Sequence, residues 1–512
     1  MSLSTGRWIF HEGGTDPVGR SDDTMKEILN DAFVKREMEY WNIPGLAVGV
    51  IKDGEILLEK GYGYRNLETK EPMTPYTLQG IASCSKSFTS AVLASLVDEG
   101  ILDYDQPVSE YIPDFALMDP VATKEATIRD MLYHRTGLAG HDGMWPLKGV
   151  SREEYMHRLR YLQPNKPFRS TTQYSNVIYN LLGCIAERVT QKTWEELVEE
   201  RIFKPLGMER SCLTVKEMRQ DPDYATGYFE RERGKKLLEM PPWEMGVGAP
   251  AAAVNTCAHE MLKWLKLHLD MGVYEGRRLF SEQVMYEMHK GAVPMNLFPW
   301  KCEEIPESGM YGMAWKSFIY RGMPFVFHTG EIEGYCTMQA MIPGKKIGII
   351  LLANRHKPCS PFLSTMAYTI IDHLLDLPEI DWAERLHAYD GVFGGTHYDW
   401  KVDLMPGEPV EHTELSHKPE EYAGVYENPA YGELKVELAK NGLYLHFKDW
   451  LLPMEHFHYD TFRVRGVKED TIFITMPMTY HYEELTGKVD GFSLKLEPEV
   501  DPVWFAKRVA KE

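Results

Sequence analysis

The sequence contains no hydrophobic run long enough to cross a membrane, since no uninterrupted apolar stretch approaches about 18 residues. Residues 1–12 also lack the continuous apolar segment of a secretory signal peptide. Positive charge is scarce: 56 lysines and arginines stand against 76 acidic residues, a formal net charge of −20 over 512 residues. Nucleic acids and anionic membranes bind basic surfaces, so neither is expected as a partner. These absences predict a soluble cytoplasmic protein.

Cysteine is also sparse, with seven widely scattered residues and no Cys-x-x-Cys pair. This pattern is typical of buried thiols in a reducing compartment. The sequence has no Gly-x-Ser-x-Gly segment, no His-Glu-x-x-His segment and no phosphate-binding glycine loop, which disfavours an α/β-hydrolase, a zinc protease and a nucleotide-binding protein. His456 and His458 alternate on one predicted strand without cysteine or acidic partners at ligand spacing. No cofactor and no metal are predicted.

The segment Ser83-Cys84-Ser85-Lys86 carries the most chemical information. Apolar residues recur after it at helical spacing as far as Val97, and Gly100 supplies a C-terminal stop, so a buried helix is predicted to begin near Ser83. A lysine three residues after a serine lies on the same helical face and can hydrogen-bond the serine hydroxyl. Backbone N–H groups at a helix N-terminus also favour an oxyanion. The segment therefore predicts a serine nucleophile.

The surrounding chain predicts a mixture of strands and helices. Residues 43–51 and 55–63 are apolar runs joined by an Asp-Gly turn, which predicts a β-hairpin. The middle of the chain has helical periodicity, most clearly in residues 126–132, 194–199 and 261–265, and strands return between residues 311 and 354.

Two further motifs follow the first one along the chain, Tyr174-Ser175-Asn176 and His328-Thr329-Gly330. In this order and at these spacings, the three motifs resemble those of the serine β-lactamase and penicillin-binding-protein superfamily. The closest resemblance is to the class C β-lactamase-like branch, which also holds esterases, D-aminopeptidases and lovastatin-type acyltransferases. It extends over about residues 25 to 380. Further matching segments are residues 43–45, 62–64, 102–108, 132–138 and 311–315.

The resemblance implies that Ser83 is the acyl-accepting nucleophile and that Lys86 and Tyr174 transfer its proton. A tyrosine with an ordinary pKa of about 10 is almost entirely protonated at neutral pH. Either a neighbouring Lys86 ammonium lowers the pKa of Tyr174, or burial of Lys86 makes its amine the base, and the sequence leaves both open. Asn176 is implied to hydrogen-bond Lys86 or a substrate amide.

His328 is the main departure from the superfamily, because β-lactamases and penicillin-binding proteins usually carry lysine at this position. A histidine is mostly neutral at pH 7, so recognition of a substrate carboxylate should be weaker. His328, Thr329 and Gly330 are predicted to line the substrate site. The backbone N–H groups of Ser83 and Glu331 are the proposed oxyanion donors. The side chains of Glu331 and Glu333 are predicted either to select an amine-bearing substrate or to point into solvent.

Beyond about residue 385 the composition changes. Residues 386–419 are predicted to be a linker, because the polar stretch toward its end contains Pro406-Gly407, Pro409 and Pro419. Residues 420–512 contain about eight short alternating strands, which suggests a small antiparallel barrel. The opening Glu420 to Glu427 resembles lipocalin-like domains appended to many members of this branch. Ligand binding, shaping of the active-site rim, oligomer formation and structural support are the alternative roles of this barrel.

Together these observations predict an α/β (α+β) serine β-lactamase-like domain over residues 1–385, in which helices and an all-helical subdomain flank an antiparallel sheet. The predicted activity is hydrolysis of a small-molecule carboxylic ester or amide through an acyl-Ser83 intermediate, esterase-like rather than truly β-lactamase. An acyltransferase and a D-amino-acid peptidase or amidase would use the same residues. A non-catalytic binding protein is the alternative from another class, and a homo-oligomer is possible.

Overall fold

A computed structural model of the chain describes residues 28–144, 149–230, 236–296, 302–306, 308–356, 359–390, 402–447, 450–468 and 471–508. These residues form two large β-sheets, one flanked by helices and one closed into a barrel. None of the helices in these ranges is long and apolar enough to span a membrane.

Most of the strands before residue 354 belong to the helix-flanked sheet. Nine of them are arranged in the order β10-β11-β12-β13-β14-β15-β1-β2-β3, with antiparallel neighbours throughout. The strands are β1 (Gly45–Lys52), β2 (Glu55–Asn66), β3 (Glu71–Pro72), β4 (Gln79–Gly80), β5 (Tyr228–Glu230), β6 (Leu237–Glu239), β7 (Asn255–Thr256), β8 (Val273–Tyr274), β9 (Arg277–Arg278), β10 (Val293–Asn296), β11 (Ser308–Tyr311), β12 (Lys316–Tyr320), β13 (Met323–Ile332), β14 (Tyr335–Ile342) and β15 (Ile347–Ala353).

The predicted hairpin of residues 43–63 is confirmed by β1 and β2, with Lys52 opposite Glu55. Its two turn residues, Asp53 and Gly54, have φ values of 51° and 83°. A two-residue turn with both φ values positive matches the right-handed twist of the strands it joins, and Asp-Gly tolerates that conformation.

Most helices lie between β3 and β10 in sequence. They are α1 (Asp31–Tyr40), α2 (Ser85–Asp98), α3 (Val108–Tyr111), α4 (Pro120–Glu125), α5 (Ile128–Leu132), α6 (Arg152–Arg158), α7 (Asn176–Thr190), α8 (Trp194–Val198), α9 (Lys204–Leu206), α10 (Val215–Met218), α11 (Ala249–Ala252), α12 (Ala258–Leu269), α13 (Glu282–His289), α14 (Ser360–Leu374), α15 (Trp382–His387) and α16 (Pro419–Tyr422). The predicted helical segments thus appear as α5, α8 and α12. Capping boxes begin α5 at Thr127 and α8 at Thr193.

Both faces of the sheet are buried, which gives the domain two cores. Val48, Phe327 and Leu351 face α1 and α14. Ala47 and Leu352 face the opposite side, where α2 and α12 lie. Helix α2 is buried from Ser85 to Leu96, so its N-terminus is held firmly within the domain.

The second sheet is a closed barrel of eight antiparallel strands, since β22 pairs with both β21 and β23. The strands are β16 (Val402–Asp403), β17 (Gly424–Asn428), β18 (Gly432–Ala439), β19 (Gly442–Phe447), β20 (Trp450–His458), β21 (Thr461–Lys468), β22 (Thr471–Tyr482), β23 (Val489–Leu494) and β24 (Val503–Lys507), of which β17 to β24 close the barrel. The sequence predicts the number of strands, but it indicates β20 only at His456 and His458 and divides β22 into residues 471–476 and 480–484. Pro477 instead lies within the strand, opposite Arg463.

The later part of the predicted linker lies against the barrel. Strand β16 pairs in parallel with β22, and Ser416 donates from its backbone and its hydroxyl to the Asp460 carboxylate at 2.9 and 2.6 Å. Residues 391–401 of the linker lie outside the described ranges. The apolar core around α2 continues into the barrel, where it includes Tyr431 and Phe505.

Candidate active site

Ser83 lies in a short 3-10 turn, Ala82–Cys84, that leads directly into α2. Ala82 and Cys84 are buried, whereas Ser83 is partly exposed. The φ of Ala82 is 49°, a left-handed conformation that is uncommon for a residue with a side chain and is often found at functional sites. The turn therefore presents one accessible hydroxyl at the N-terminal end of a buried helix.

Lys86 lies one helical turn after Ser83 and is fully buried. Its Nζ is 3.0 Å from Ser83 Oγ. The same nitrogen lies 2.7 Å from Asn176 Oδ1 and 3.0 Å from the carbonyl oxygen of Ala251 in α11. Carbonyl oxygens only accept hydrogen bonds. A neutral amine has two N–H groups and one lone pair, so it can donate to both carbonyls and direct the lone pair at the Ser83 hydroxyl.

Burial lowers the pKa of Lys86 from its ordinary value of 10.5 to about 7. The negative charge of Asp142 acts in the opposite direction and raises this pKa. A desolvated ammonium is unstable relative to the neutral amine, which is why burial outweighs the attraction to the carboxylate. Near neutral pH the amine is populated, and it can accept a proton.

Tyr174 precedes α7, and its ring centroid is 4.9 Å from Lys86 Nζ. Its buried hydroxyl has no hydrogen-bond partner of good geometry among the described residues. Burial raises the pKa of Tyr174, and the nearby Ser83 hydroxyl offsets only part of this effect. The phenol is therefore protonated at neutral pH, so the pKa values favour Lys86 over Tyr174 as the base.

Asn176, the first residue of α7, links Lys86 to an acidic residue that sequence reasoning missed. Its Nδ2 donates to Asp142 Oδ1 at 3.2 Å while its Oδ1 accepts from Lys86. Because a carboxylate only accepts, this contact determines which end of the amide faces the lysine. Asp142 lies on a second 3-10 turn, Asp142–Met144, and no motif in its neighbourhood indicates the role.

The His-Thr-Gly segment lies on β13, where alternate side chains face opposite sides of the sheet. The His328 ring faces the side of the sheet on which α2 lies, and its centroid is 6.2 Å from that of the Tyr174 ring. Thr329 and Glu331 pair with Met338 and Cys336, which belong to the core on the opposite face. The structure thus brings His328 and the Gly330 backbone to Ser83 but directs the Thr329 and Glu331 side chains away.

The structure places the two glutamates predicted as alternatives for amine recognition at different points. The Glu331 side chain faces the core between the sheet and α14, away from Ser83, and Glu333 lies in the turn between β13 and β14. The backbone N–H of Glu331 remains a candidate oxyanion donor, beside that of Ser83. Selection of an amine-bearing substrate by these carboxylates stays a prediction.

Gly330 allows β13 to approach the turn that carries Ser83. A Cβ atom built on Gly330 would lie 2.0 Å from the carbonyl oxygen of Ile81 and 3.2 Å from the Cβ of Ala82. Real Cβ atoms do not approach a backbone oxygen so closely. The glycine of the motif is therefore required for the proximity of strand and nucleophile.

We expect Gly330→Ala to lower the free energy of unfolding by about 1–3 kcal/mol, because the strand must move away from residue 81. The same movement should reduce kcat/KM by widening the gap between β13 and Ser83. Denaturant unfolding and initial rates on one preparation measure both quantities. Gly344→Ala is the matched control, since a Cβ there meets no atom within 4 Å. Equal stability and activity of the two variants would refute the close approach.

Sequence reasoning missed two residues beside His328: Tyr311, which contacts the His328 ring, and His134, which contacts Tyr311. The N–H of Ser175 donates to His134 Nδ1 at 3.1 Å, so the neutral ring carries its proton on Nε2, 3.2 Å from the Tyr311 hydroxyl. That hydroxyl lies 3.4 Å from His328 Nε2, and His328 Nδ1 donates to the carbonyl oxygen of Thr329 at 2.7 Å. Burial holds the pKa of both histidines well below the ordinary value. Both rings are neutral, so His328 offers no fixed cation.

The signal for these two residues is present in the sequence but is indirect. His134 and Tyr311 fall within segments 132–138 and 311–315, which carry part of the family resemblance. Neither segment has a spacing that implies a chemical role. Only the folded chain brings His134 to Tyr311 and Tyr311 to His328.

A small pocket with a largely apolar lining lies near the site. The pocket touches the chain three residues before Ser83 and two residues after Gly330. It also borders α11, the helix that supplies the Ala251 carbonyl to Lys86. Its lining includes Gly80, Leu213, Trp243, Ala253, Ile332 and Tyr335. The Trp243 ring lies 5.6 Å from the Trp450 ring of the barrel, in an edge-to-face arrangement. The pocket therefore places an apolar surface near the nucleophile.

Among the described residues, no three or more histidine, cysteine or acidic side chains are grouped so that they could hold a metal ion. His456 donates to the carbonyl oxygen of Tyr459 at 2.8 Å, and His458 accepts from the N–H of Val410 at 3.3 Å. These two histidines are engaged with the backbone around β20.

An antiparallel sheet flanked by helices, with a serine and a lysine at the head of a buried central helix, defines a β-lactamase-like fold. Residues 30–367, more than half of the chain, match the beta-lactamase family. The chain belongs to this family. Residues 408–507, which include most of the barrel, match a domain of unknown function, DUF3471.

Related proteins match most of the chain. The unguisins hydrolase ungD' of Aspergillus campestris is 27% identical over 460 residues, covering 86% of this chain and 83% of the relative. The octameric penicillin-binding protein homologue of Pyrococcus abyssi has a TM-score of 0.58 at 23% identity and covers 93% of this chain and 98% of its own. A class C beta lactamase from Rhodobacter sphaeroides has a TM-score of 0.55 at 22% identity, over 69% of this chain and 100% of its own.

Proposed function

We propose that the protein is a serine hydrolase that cleaves a carboxylic ester or amide through an acyl-Ser83 intermediate, with esterase-like rather than β-lactamase selectivity. The observation that carries this proposal is the buried Lys86 amine, 3.0 Å from Ser83 Oγ with a pKa lowered to about 7. A serine hydroxyl is a weak nucleophile at neutral pH and needs such a base within hydrogen-bond reach. Hydrolytic chemistry also agrees with the name of the related unguisins hydrolase.

In the first half-reaction, Lys86 accepts the Ser83 proton while Oγ bonds to the substrate carbonyl carbon. The carbonyl oxygen becomes an oxyanion, which the N–H groups of Ser83 and Glu331 are proposed to stabilise. The protonated Tyr174 then donates its proton to the leaving alcohol or amine as the bond to it breaks. The Lys86 ammonium then returns a proton to the Tyr174 phenolate. This transfer regenerates the neutral Lys86 amine and the protonated Tyr174, and the acyl group remains on Ser83.

In the second half-reaction, water replaces the leaving group. The Lys86 and Tyr174 pair removes a proton from the water as its oxygen attacks the acyl carbon, and Ser83 regains a proton as the carboxylic acid departs. No cofactor takes part in these steps.

Two features support an uncharged substrate. His328 is a neutral ring at the position where β-lactamases usually carry a lysine, so a carboxylate finds no partner cation there. The nearby pocket is lined largely by apolar side chains. A substrate carboxylate would lose hydration without gaining an ion pair.

The pH dependence of kcat/KM should show an acid limb centred near pH 7, because the free enzyme must release the Lys86 proton before the amine can act as a base. Activity should rise through that pH and then level off, since the pKa of Tyr174 is raised by burial. An uncharged chromogenic ester is the appropriate substrate, because only the enzyme then titrates. A limb centred at about pH 4 would indicate a carboxylate base instead and contradict this assignment.

The substrate class is tested with short-chain esters, D- and L-aminoacyl amides and a β-lactam, with intact-mass detection of the acyl adduct. We expect the esters to give the highest kcat/KM and an adduct that maps to Ser83. Absence of any adduct, together with failure of a fluorophosphonate to label Ser83, would support a non-catalytic binding protein.

Transfer of the acyl group to an alcohol or amine would use the same residues. Adding candidate acceptors and measuring the ratio of transfer product to free acid distinguishes the acyltransferase from the hydrolase. The Pyrococcus relative is octameric, and a homo-oligomer stays a prediction for this chain.

A further inference from the structure

We propose that the C-terminal barrel is a positioning component of the hydrolytic site, which holds the loop carrying Asp142 through His141, Tyr431 and Glu497. The proposal rests on the hydrolytic roles given above to Ser83 and Lys86. It assigns the barrel a part in the reaction rather than support alone.

The barrel holds the loop at consecutive residues. The buried His141 donates its backbone N–H to Glu497 Oε2 at 2.6 Å. Its Nε2 lies 2.9 Å from the carbonyl oxygen of Gln163, which only accepts, so Nε2 carries the proton. In the neutral ring Nδ1 must then accept, and the Tyr431 hydroxyl donates to it at 2.9 Å. Gly143 packs against the Tyr431 ring, where an added Cβ would lie 3.0 Å from the ring.

Between His141 and Gly143 lies Asp142, which faces the site. Its carboxylate accepts from Asn176 Nδ2, and Asn176 Oδ1 accepts from Lys86. An asparagine amide can rotate by half a turn and exchange its two ends. If the Asp142 carboxylate is displaced, the Asn176 amide is free to rotate and donate a hydrogen bond from its N–H2 group to the Lys86 amine. That hydrogen bond would occupy the amine lone pair, which then could not accept the Ser83 proton. The barrel thus acts on the base through the His141–Asp142 segment and then through Asn176.

The charge on Asp142 provides a second and measurable connection, since it raises the pKa of Lys86. The other ionisable groups around the lysine come from several elements. They are Cys84 before α2, Tyr174 and Tyr179 at α7, His134 after α5, Lys316 on β12 and His328 on β13. Cys84 raises the pKa of Lys86 and Lys316 lowers it, and neither contacts the barrel residues named above. Displacement of Asp142 alone should therefore lower the pKa of Lys86.

The test is Tyr431→Phe in the full-length protein, which removes the hydrogen bond to His141 but keeps the ring against Gly143. We expect the maximal kcat of an uncharged ester to fall about 3- to 10-fold, the scale of one lost hydrogen bond. KM should change little. The acid limb of kcat/KM should move to lower pH by roughly half a unit as the carboxylate leaves its position.

Asp142→Ala should produce the same two effects at larger size. If Tyr431 acts through Asp142, the double variant should match Asp142→Ala alone rather than show the product of the two losses. Asp501→Ala is the matched interface control, because it removes the 3.3 Å contact from Gln163 Nε2 and leaves the loop untouched. It should retain both the rate and the pH profile.

His141→Asn serves as a second variant if Tyr431→Phe folds poorly, since asparagine tolerates the φ of 46° at this position. A lower melting temperature with wild-type kcat and an unshifted acid limb would overturn the proposal and leave the barrel a structural support. Multiplicative losses in the double variant would overturn it as well. Failure of the wild-type protein to form a Ser83 adduct would instead refute the proposed function.

Discussion

Ser83→Ala is expected to abolish turnover, with a loss on the order of 10⁴-fold or more, because no other group can hold the acyl intermediate. The fold should survive, since Ser83 is partly exposed and its hydroxyl contacts Lys86 rather than the core. Intact mass spectrometry after incubation with an ester measures the adduct directly. Wild-type protein should gain the mass of the acyl group, and the variant should not.

Ser90→Ala is the matched control for this substitution. Ser90 lies on the same helix, is fully buried and has a hydroxyl with no hydrogen-bond partner among the described residues. Loss of that hydroxyl should leave both the adduct and the rate unchanged. Substantial ester hydrolysis by Ser83→Ala would place the nucleophile elsewhere and end the assignment.

Lys86→Met is expected to lower kcat/KM by about 10²- to 10⁴-fold, the range for loss of a positioned base. Methionine fills a similar volume, so the variant removes the amine without opening a cavity. Initial rates between pH 6 and 9 measure the effect, and the acid limb near pH 7 should disappear with the lysine. A retained limb at this pH would show that another group titrates.

The same variant should be more stable than the wild type near neutral pH. The folded protein depresses the pKa of Lys86 from 10.5 to about 7, so the unfolded chain binds the extra proton throughout this interval. Wild-type stability should therefore increase as pH rises from about 7 to 10.5, and below pH 7 the folded state carries the full penalty of a buried ammonium. The advantage of Lys86→Met should be largest below pH 7 and vanish near pH 10.5.

Lys316→Met provides the control for loss of a second lysine, which is partly buried. Lys316 pairs with Phe327 on the sheet face opposite Ser83, with its ammonium 6.0 Å from the Phe327 ring. Because its charge lowers the pKa of Lys86, its removal should move the acid limb slightly upward. The rate at pH 9 should remain near that of the wild type. A loss as large as that of Lys86→Met would mean that burial of charge, not the base, limits activity.

Local patterns in the sequence were sufficient for much of the fold. The hairpin of β1 and β2 follows from an Asp-Gly pair that tolerates two positive φ values, and α2 follows from apolar spacing that ends at Gly100. The segment of β22 is predicted as two strands, residues 471–476 and 480–484, but pairing with β21 and β23 keeps it continuous across Pro477. Such long-range pairing has no counterpart in local sequence.

A serine and a lysine at a helix N-terminus, in the order of motifs typical of one superfamily, can be recognised from the sequence alone. The charge states depend on the folded chain, because burial lowers the pKa of Lys86 and raises that of Tyr174. Tertiary structure also decided the side of β13 on which Glu331 lies and the contact of Asp142 with Asn176. Desolvation, strand register and contacts between distant segments depend on how the whole chain packs, so no short motif contains them.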